Sequence, residues 1–252
     1  MISVGSLFSG IGGFELGFEQ AGMSTVWQVE NNPKRRQLLS LRFPHAKHWD
    51  DVATFPPPDS DFDRVDVICG GFPCQDISLC GKGAGINGSR SGLWAEYFRI
   101  LCHFRPRLAV VENVAAIRSR GLDRVLGDLA AGGFDAEWDC LPAAAFGAFS
   151  ERDRLFLLAY AKGVDGRSHD LLEACREWGS SLQSRRLSGL AMATRGQQEN
   201  TRLRCEPGLD RLVRRLPGAM DRLEGIGNSV FPPVAEWLGQ RIVEWFNRDG
   251  NE

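Results

Sequence analysis

The sequence predicts an α/β fold built on a mostly parallel sheet, and three observations carry that expectation. Strand-like and helix-like segments alternate through the first 160 residues. Two apolar runs, residues 65–70 and 108–112, bracket a single helical stretch and read as a β-α-β unit, whose strands run parallel. A chain of 252 residues with 43% hydrophobic and 25% charged side chains has enough material for one large α/β domain, or that plus a small lobe.

Taken in order, the first strand spans residues 3–8 and runs into Gly10-Ile11-Gly12-Gly13-Phe14, a glycine turn that opens a helix over 14–21. A second strand covers 25–30, and Pro33 begins a helix over 33–41 at the position where a missing N–H does no harm. The strand 65–70 ends abruptly at Phe72-Pro73-Cys74-Gln75. The helix over 93–104 puts Trp94, Tyr97, Phe98, Leu101 and Phe104 on one face. A strand over 108–112 stops at Glu112-Asn113-Val114, and a helix over 122–131 precedes strands at 136–140 and 155–160. Periodicity is weak over 161–206, where one helix is expected at 170–178. Pro232 then opens a helix to about residue 246, with Val234, Leu238, Ile242 and Trp245 on one side. The expected organisation is a catalytic and cofactor-binding region over 1–160, a small region over 161–215, and a closing segment over 216–252.

Composition narrows the function classes. No apolar run approaches the roughly 20 residues that span a bilayer, and the chain opens on a strand-like segment instead of a signal peptide. Seven scattered cysteines lack paired metal-ligand spacing, so reduced thiols in a cytoplasmic setting are expected and a metal is not. Residues 151–222 carry 14 basic and 10 acidic side chains, nearly all of the basic ones arginine. Guanidinium forks suit phosphate oxygens; a solvated connector fits that composition equally well.

The chemistry concentrates at strand ends. Parallel strands put Cys74 and Glu112 at the same edge of the sheet, where α/β folds bind ligands, and a thiol beside a carboxylic acid is a catalytic pairing. Glu112 either donates a proton while neutral or accepts a hydrogen bond while ionised. The glycine turn (Gly10, Gly12, Gly13) misses the dinucleotide fingerprint, whose last glycine would fall at Glu15. Glu30, at the tip of the next strand, is placed to accept hydrogen bonds from a ribose diol, and Phe8 either stacks on a base or belongs to the core. Together these point to a nucleoside-containing cofactor. The glycine-rich stretch after Cys74 reads as a lid, and Arg152 and Arg154 as either site groups or a solvated charge cluster.

These residues in this order resemble the DNA (cytosine-5)-methyltransferase family, in particular its phage, prophage and bacterial members. The resemblance covers about residues 3–160 and 207–246 and rests most on Phe72-Pro73-Cys74-Gln75 and Glu112-Asn113-Val114. It implies a Rossmann-like S-adenosyl-L-methionine-dependent methyltransferase fold with a small target-recognition lobe. It also implies that Phe8, Gly10, Gly12, Gly13, Glu30, Asp51, Pro73, Asn228 and Ser229 bind the cofactor. Cys74, Glu112, Arg152 and Arg154 would be catalytic. The implied reaction is methylation of carbon 5 of a cytosine flipped out of double-stranded DNA, through a covalent Cys74 adduct. A monomer is expected; the resemblance fits both a methylase with a cognate restriction endonuclease as partner and a solitary phage or host methylase. The sequence departs from the family pattern at Ser6, where many members carry an acid, and in the brevity of the recognition region. An RNA (tRNA) cytosine methyltransferase and a non-catalytic DNA-binding regulator stand as alternatives.

Overall fold

The computed structural model of the chain describes residues 1–58, 62–73, 92–148, 152–162 and 228–249. Cys74, the glycine-rich stretch beginning at Gly81, the helix expected at 170–178 and nearly all of the 161–215 region lie outside the described residues.

The elements follow as β1 (Ser3–Leu7), α1 (Gly13–Gln20), β2 (Ser24–Val29), α2 (Pro33–Arg42), β3 (Lys47–Trp49), β4 (Val67–Gly71), α3 (Gly92–Phe104), β5 (Leu108–Val114), α4 (Leu122–Ala131), β6 (Phe134–Pro142), β7 (Asp153–Ala161) and α5 (Pro232–Asp249). They form one seven-stranded sheet in the order β3-β2-β1-β4-β5-β7-β6. Neighbours pair in parallel from β3 through β5, and β7 alone runs antiparallel, to both β5 and β6. Strand order reverses between β1 and β4, which opens a crevice at the carboxyl ends of those strands.

Each face of the sheet is covered by helices whose apolar stripes match it. On one face Trp94, Tyr97, Ile100, Leu101 and Phe104 of α3 are buried with Val125 and Leu129 of α4. On the other, Phe14 and Phe18 of α1 pack with Val234, Ala235, Leu238 and Ile242 of α5. The C-terminal helix therefore lies against the helix that follows the first strand, and brings Asn228–Val230 to the crevice.

Three differences from the sequence expectation have physical causes. β3 was not foreseen because it is only three residues long, Lys-His-Trp, and its apolar pattern is too short to register a period. β5 continues two residues beyond Glu112 because β7 pairs with it there, Asn113 opposite Leu155 and Val114 opposite Arg154. β1 ends at Leu7, one residue early, because Phe8 adopts a left-handed φ of 54° that no strand accommodates.

Candidate functional site

A cavity of about 470 Å³ lies at the carboxyl ends of β1, β2, β4 and β5. That is within the size range of small-molecule sites. Its first wall is the turn after β1. Phe8 and Gly10 line it, and the Gly10 N–H donates to Glu30 Oε2 at 2.8 Å. The other carboxylate oxygen, Oε1, accepts from the Asn32 N–H at 2.9 Å. Glu30 is only 5% exposed, so two backbone donors fix it while its remaining lone pairs stay available to a ligand. Asn32 in turn caps α2, accepting from the Lys34 and Arg35 N–H groups, which sets the turn between β2 and that helix. Asp51 lines the cavity and caps a short 3-10 turn by accepting from the Ala53 N–H.

The wall from the C-terminal segment depends on Gly13. A Cβ there would sit 2.3 Å from the Val230 carbonyl oxygen and 2.5 Å from Ser229 Oγ. Only glycine lets residues 228–230 lie against the start of α1, and Asn228 and Ser229 line the cavity as a result.

The far wall holds the acid. Glu112 is 6% exposed and sits opposite Gly71 in the parallel β4–β5 register. Arg154 Nε lies 2.9 Å from Glu112 Oε1, yet Oε1 has no aligned hydrogen-bond donor, so the contact is chiefly one of charge. Burial pushes the Glu112 carboxyl up to about 7, although Arg154 and then Arg152 pull it down. Near neutrality it is therefore partly protonated, able both to donate and to accept. Burial, together with the neighbouring Arg154, lowers the Arg152 guanidinium, and Glu112 opposes that shift.

Sequence reading gave no role to Asn113 or Gly71. The Asn113 Nδ2 donates to the Phe72 carbonyl at 3.1 Å, tying the end of β5 to the two residues that precede Cys74. A Cβ on Gly71 would sit 2.5 Å from Glu112 Oε2, so glycine there lets the carboxyl keep its place. The paired glycines at 70 and 71, at the end of an apolar strand, were the available signal.

Of the residues named from the sequence, Phe8, Gly10, Gly13, Glu30, Asp51, Pro73, Glu112, Arg154, Asn228 and Ser229 share this one cavity. Gly12 and Arg152 are not among its lining: Gly12 caps α1 with a φ of 87°, and a Cβ on it would meet the Phe43 ring. Cys74 lies outside the described residues, one peptide bond beyond Pro73. A buried carboxylic acid beside a guanidinium, facing a fixed carboxylate across a cavity, can protonate a bound heterocycle at one end and hold a hydroxylated ligand at the other.

Comparison with known proteins supplies the family. The model of the C-5 cytosine-specific DNA methylases matches residues 2–186. The chain is 35% identical over 166 residues to the type II methyltransferase M2.BsuMI of Bacillus subtilis (strain 168), covering 63% of this chain and 42% of that one. It is 30% identical over 184 residues to the type II methyltransferase M.NgoBI of Neisseria gonorrhoeae, covering 71% of this chain and 57% of the other. The chain thus spans about half the length of the curated relatives it matches. Among solved structures, an E. coli prophage-encoded protein described as a DNA modification methyltransferase superposes with a TM-score of 0.57 at 25% identity, covering 68% of this chain and 49% of that one.

Proposed function

The chain belongs to the C-5 cytosine-specific DNA methylase family, and from that premise we propose that it transfers a methyl group from S-adenosyl-L-methionine to carbon 5 of cytosine in double-stranded DNA. The observation that carries the reading is the buried Glu112 carboxyl, raised to about 7 beside Arg154 and paired with Gly71 of the neighbouring strand, which leads in sequence to Cys74.

Carbon 5 of cytosine is a weak nucleophile, so the Cys74 thiolate first adds to carbon 6, forming a C–S bond. Glu112 gives a proton to ring nitrogen 3 as electron density accumulates there, and accepts from the exocyclic amino group. Arg154 restrains the Glu112 carboxyl and offers positive charge beside the ring carbonyl. Bound S-adenosyl-L-methionine supplies an electrophilic methyl group to the activated carbon 5. Solvent then takes the carbon-5 proton, the freed electron pair expels the Cys74 thiolate, and nitrogen 3 returns its proton to Glu112, which restores aromaticity. The target carbon is inaccessible in stacked duplex, so the base is flipped into the cavity, at a cost of a few kcal/mol.

The donor set fits the cofactor. Glu30, held by two backbone N–H groups, suits a ribose diol, and Asp51 suits an exocyclic adenine amine. Phe8 supplies an aromatic face, with Gly10, Gly13, Pro73, Asn228 and Ser229 around it. The 161–215 region is proposed as the target-recognition lobe, the protein as a cytoplasmic monomer, and a cognate restriction endonuclease as its companion. No helix among the described residues is long and apolar enough to cross a membrane.

The test is expression in a methylation-deficient bacterium followed by bisulfite sequencing, with Cys74→Ser as control. Protected cytosines in a recurring context, absent with the mutant, are expected. Unprotected DNA from cells that hold folded protein would overturn the DNA reading, and methyl transfer to tRNA instead would identify an RNA substrate.

A further inference from the structure

Glu15 lies in the first turn of α1, at the position where a dinucleotide-binding turn would carry its last glycine for close helix-to-sheet packing. Here a carboxyl is driven into that contact and is 0% exposed. No cationic side chain pairs with it among the described residues. Its neighbours are neutral: Gln28 Nε2 of β2 donates to Oε1 at 2.8 Å, and the hydroxyls of Ser6 and Ser9 lie against the carboxyl. The titratable group facing it from β4 is the buried Cys69 thiol, pushed up by burial and then by Glu15 itself.

An isolated carboxylate is not tolerated in such a place, because desolvation without a countercharge disfavours the ionised form. Burial raises the Glu15 carboxyl above its usual range, against the hydrogen bonds from Gln28, its own backbone, Ser6 and Ser9. The hydrogen-bond geometry agrees. Oε2 is fully buried with no donor aligned on it. A carboxylate oxygen there is an acceptor with nothing to accept, whereas a protonated oxygen becomes a donor in a pocket that also holds the Ser6 and Ser9 hydroxyls.

The cluster leads directly to the cavity. Ser9 Oγ donates to Ser6 Oγ at 3.0 Å, the Ser9 N–H donates to the Val29 carbonyl, and the Ser9 carbonyl accepts from the Gly12 N–H. Ser9 sits between Phe8 and Gly10, and all three line the cavity. We propose that Glu15 is a positioning residue that works as an uncharged acid, its proton shared with the Ser6 and Ser9 hydroxyls to fix the turn that carries Phe8 and Gly10. The cofactor part of this inference rests on the reading of the cavity as an S-adenosyl-L-methionine site.

Two measurements on the full chain test it. In titration calorimetry, Glu15→Gln keeps an uncharged donor and should bind S-adenosyl-L-methionine within about threefold of the wild type, whereas Glu15→Ala should bind about tenfold or more weakly. Without ligand, urea unfolding is followed from pH 5 to 8. Above about pH 4.5 the unfolded chain is ionised at Glu15 while the native chain keeps its proton, so unfolding releases a proton and stability falls as pH rises toward the raised native value. The wild-type unfolding constant should therefore rise with pH relative to that of Glu15→Gln, with a limiting slope of about tenfold per pH unit while the native chain holds the proton. Should Glu15→Ala fail to fold, Ser9→Ala keeps the acid and cuts its link to the cavity, and should weaken binding about as much.

Equal weakness of Glu15→Gln and Glu15→Ala, wild-type affinity in both Glu15→Ala and Ser9→Ala, or parallel pH profiles of wild type and Glu15→Gln would each overturn the proposal. If the wild type binds no S-adenosyl-L-methionine, the cofactor reading fails by itself. The ligand-free comparison then still decides whether Glu15 holds the proton.

Discussion

Gly71→Ala isolates the position of the Glu112 carboxyl from its chemistry. The backbone at residue 71 is ordinary strand without positive φ, so alanine brings no backbone strain. Its Cβ, however, would lie 2.5 Å from Glu112 Oε2 and 3.5 Å from the Glu112 carbonyl oxygen. Ordinary contact begins at 3.4 Å, so Oε2 must retreat by about 0.9 Å. The carboxyl is buried and faces Arg154 Nε at 2.9 Å on its other oxygen, so the retreat changes its aim. A misplacement of about 1 Å at a reacting group lowers a rate by about 10²-fold. Overpacking costs about 1–3 kcal/mol, and replacing a strand glycine returns about 0.5–1 kcal/mol. The variant therefore stays folded. The assay is single-turnover transfer of labelled methyl to cytosine-containing DNA, with thermal unfolding and cofactor affinity measured in parallel. About a hundredfold slower transfer, with cofactor affinity within about threefold, is expected. A folded variant that transfers at the wild-type rate would refute the claim that this strand contact sets the acid.

Further outcomes follow from the same wall of the cavity. Because Glu112 is raised to about 7 in the native chain, its proton stabilises the fold at low pH. That contribution fades between about pH 4.5 and 7, by on the order of 3 kcal/mol. Urea unfolding should show this slope in the wild type and a shallower one in Glu112→Gln; identical slopes would count against it. Arg154→Ala removes the charge that most lowers the Glu112 carboxyl. The limb of the rate–pH profile that reports the protonated acid should then move to higher pH, and an unmoved profile would dissociate the two residues. Asn113→Ala loses the bond to the Phe72 carbonyl. It should destabilise the protein by about 1–2 kcal/mol and slow transfer more than it weakens cofactor binding, as compared by calorimetry and single-turnover rates.

The sheet's parallel core was legible because its strands are apolar runs long enough to stand out, and because Phe72-Pro73 and Glu112-Asn113 mark where two of them stop. The site was legible as residue types at strand tips, which the β1–β4 switch point gathers into one cavity. What escaped the sequence was set by contacts between distant segments. The length of β5 depends on antiparallel pairing with β7, which local pattern does not encode. The function of Gly71 depends on which atom lies opposite it. Glu15 stands out in the sequence only as the residue where the dinucleotide fingerprint's last glycine would fall, and the packing of α1 on the sheet shows that it is buried among neutral partners.

The central claim is that Cys74 bonds covalently to a cytosine engaged by Glu112. A duplex carrying 5-fluorocytosine in place of the target base tests it most directly, because fluorine cannot leave as the carbon-5 proton does and the adduct persists after methyl transfer. With S-adenosyl-L-methionine present, a protein–DNA complex that survives denaturing electrophoresis, with Cys74 as the modified residue by mass spectrometry, is expected. It should be absent with Cys74→Ser. A wild-type protein that methylates DNA yet forms no such complex, or a complex that forms equally with Cys74→Ser, would contradict the account.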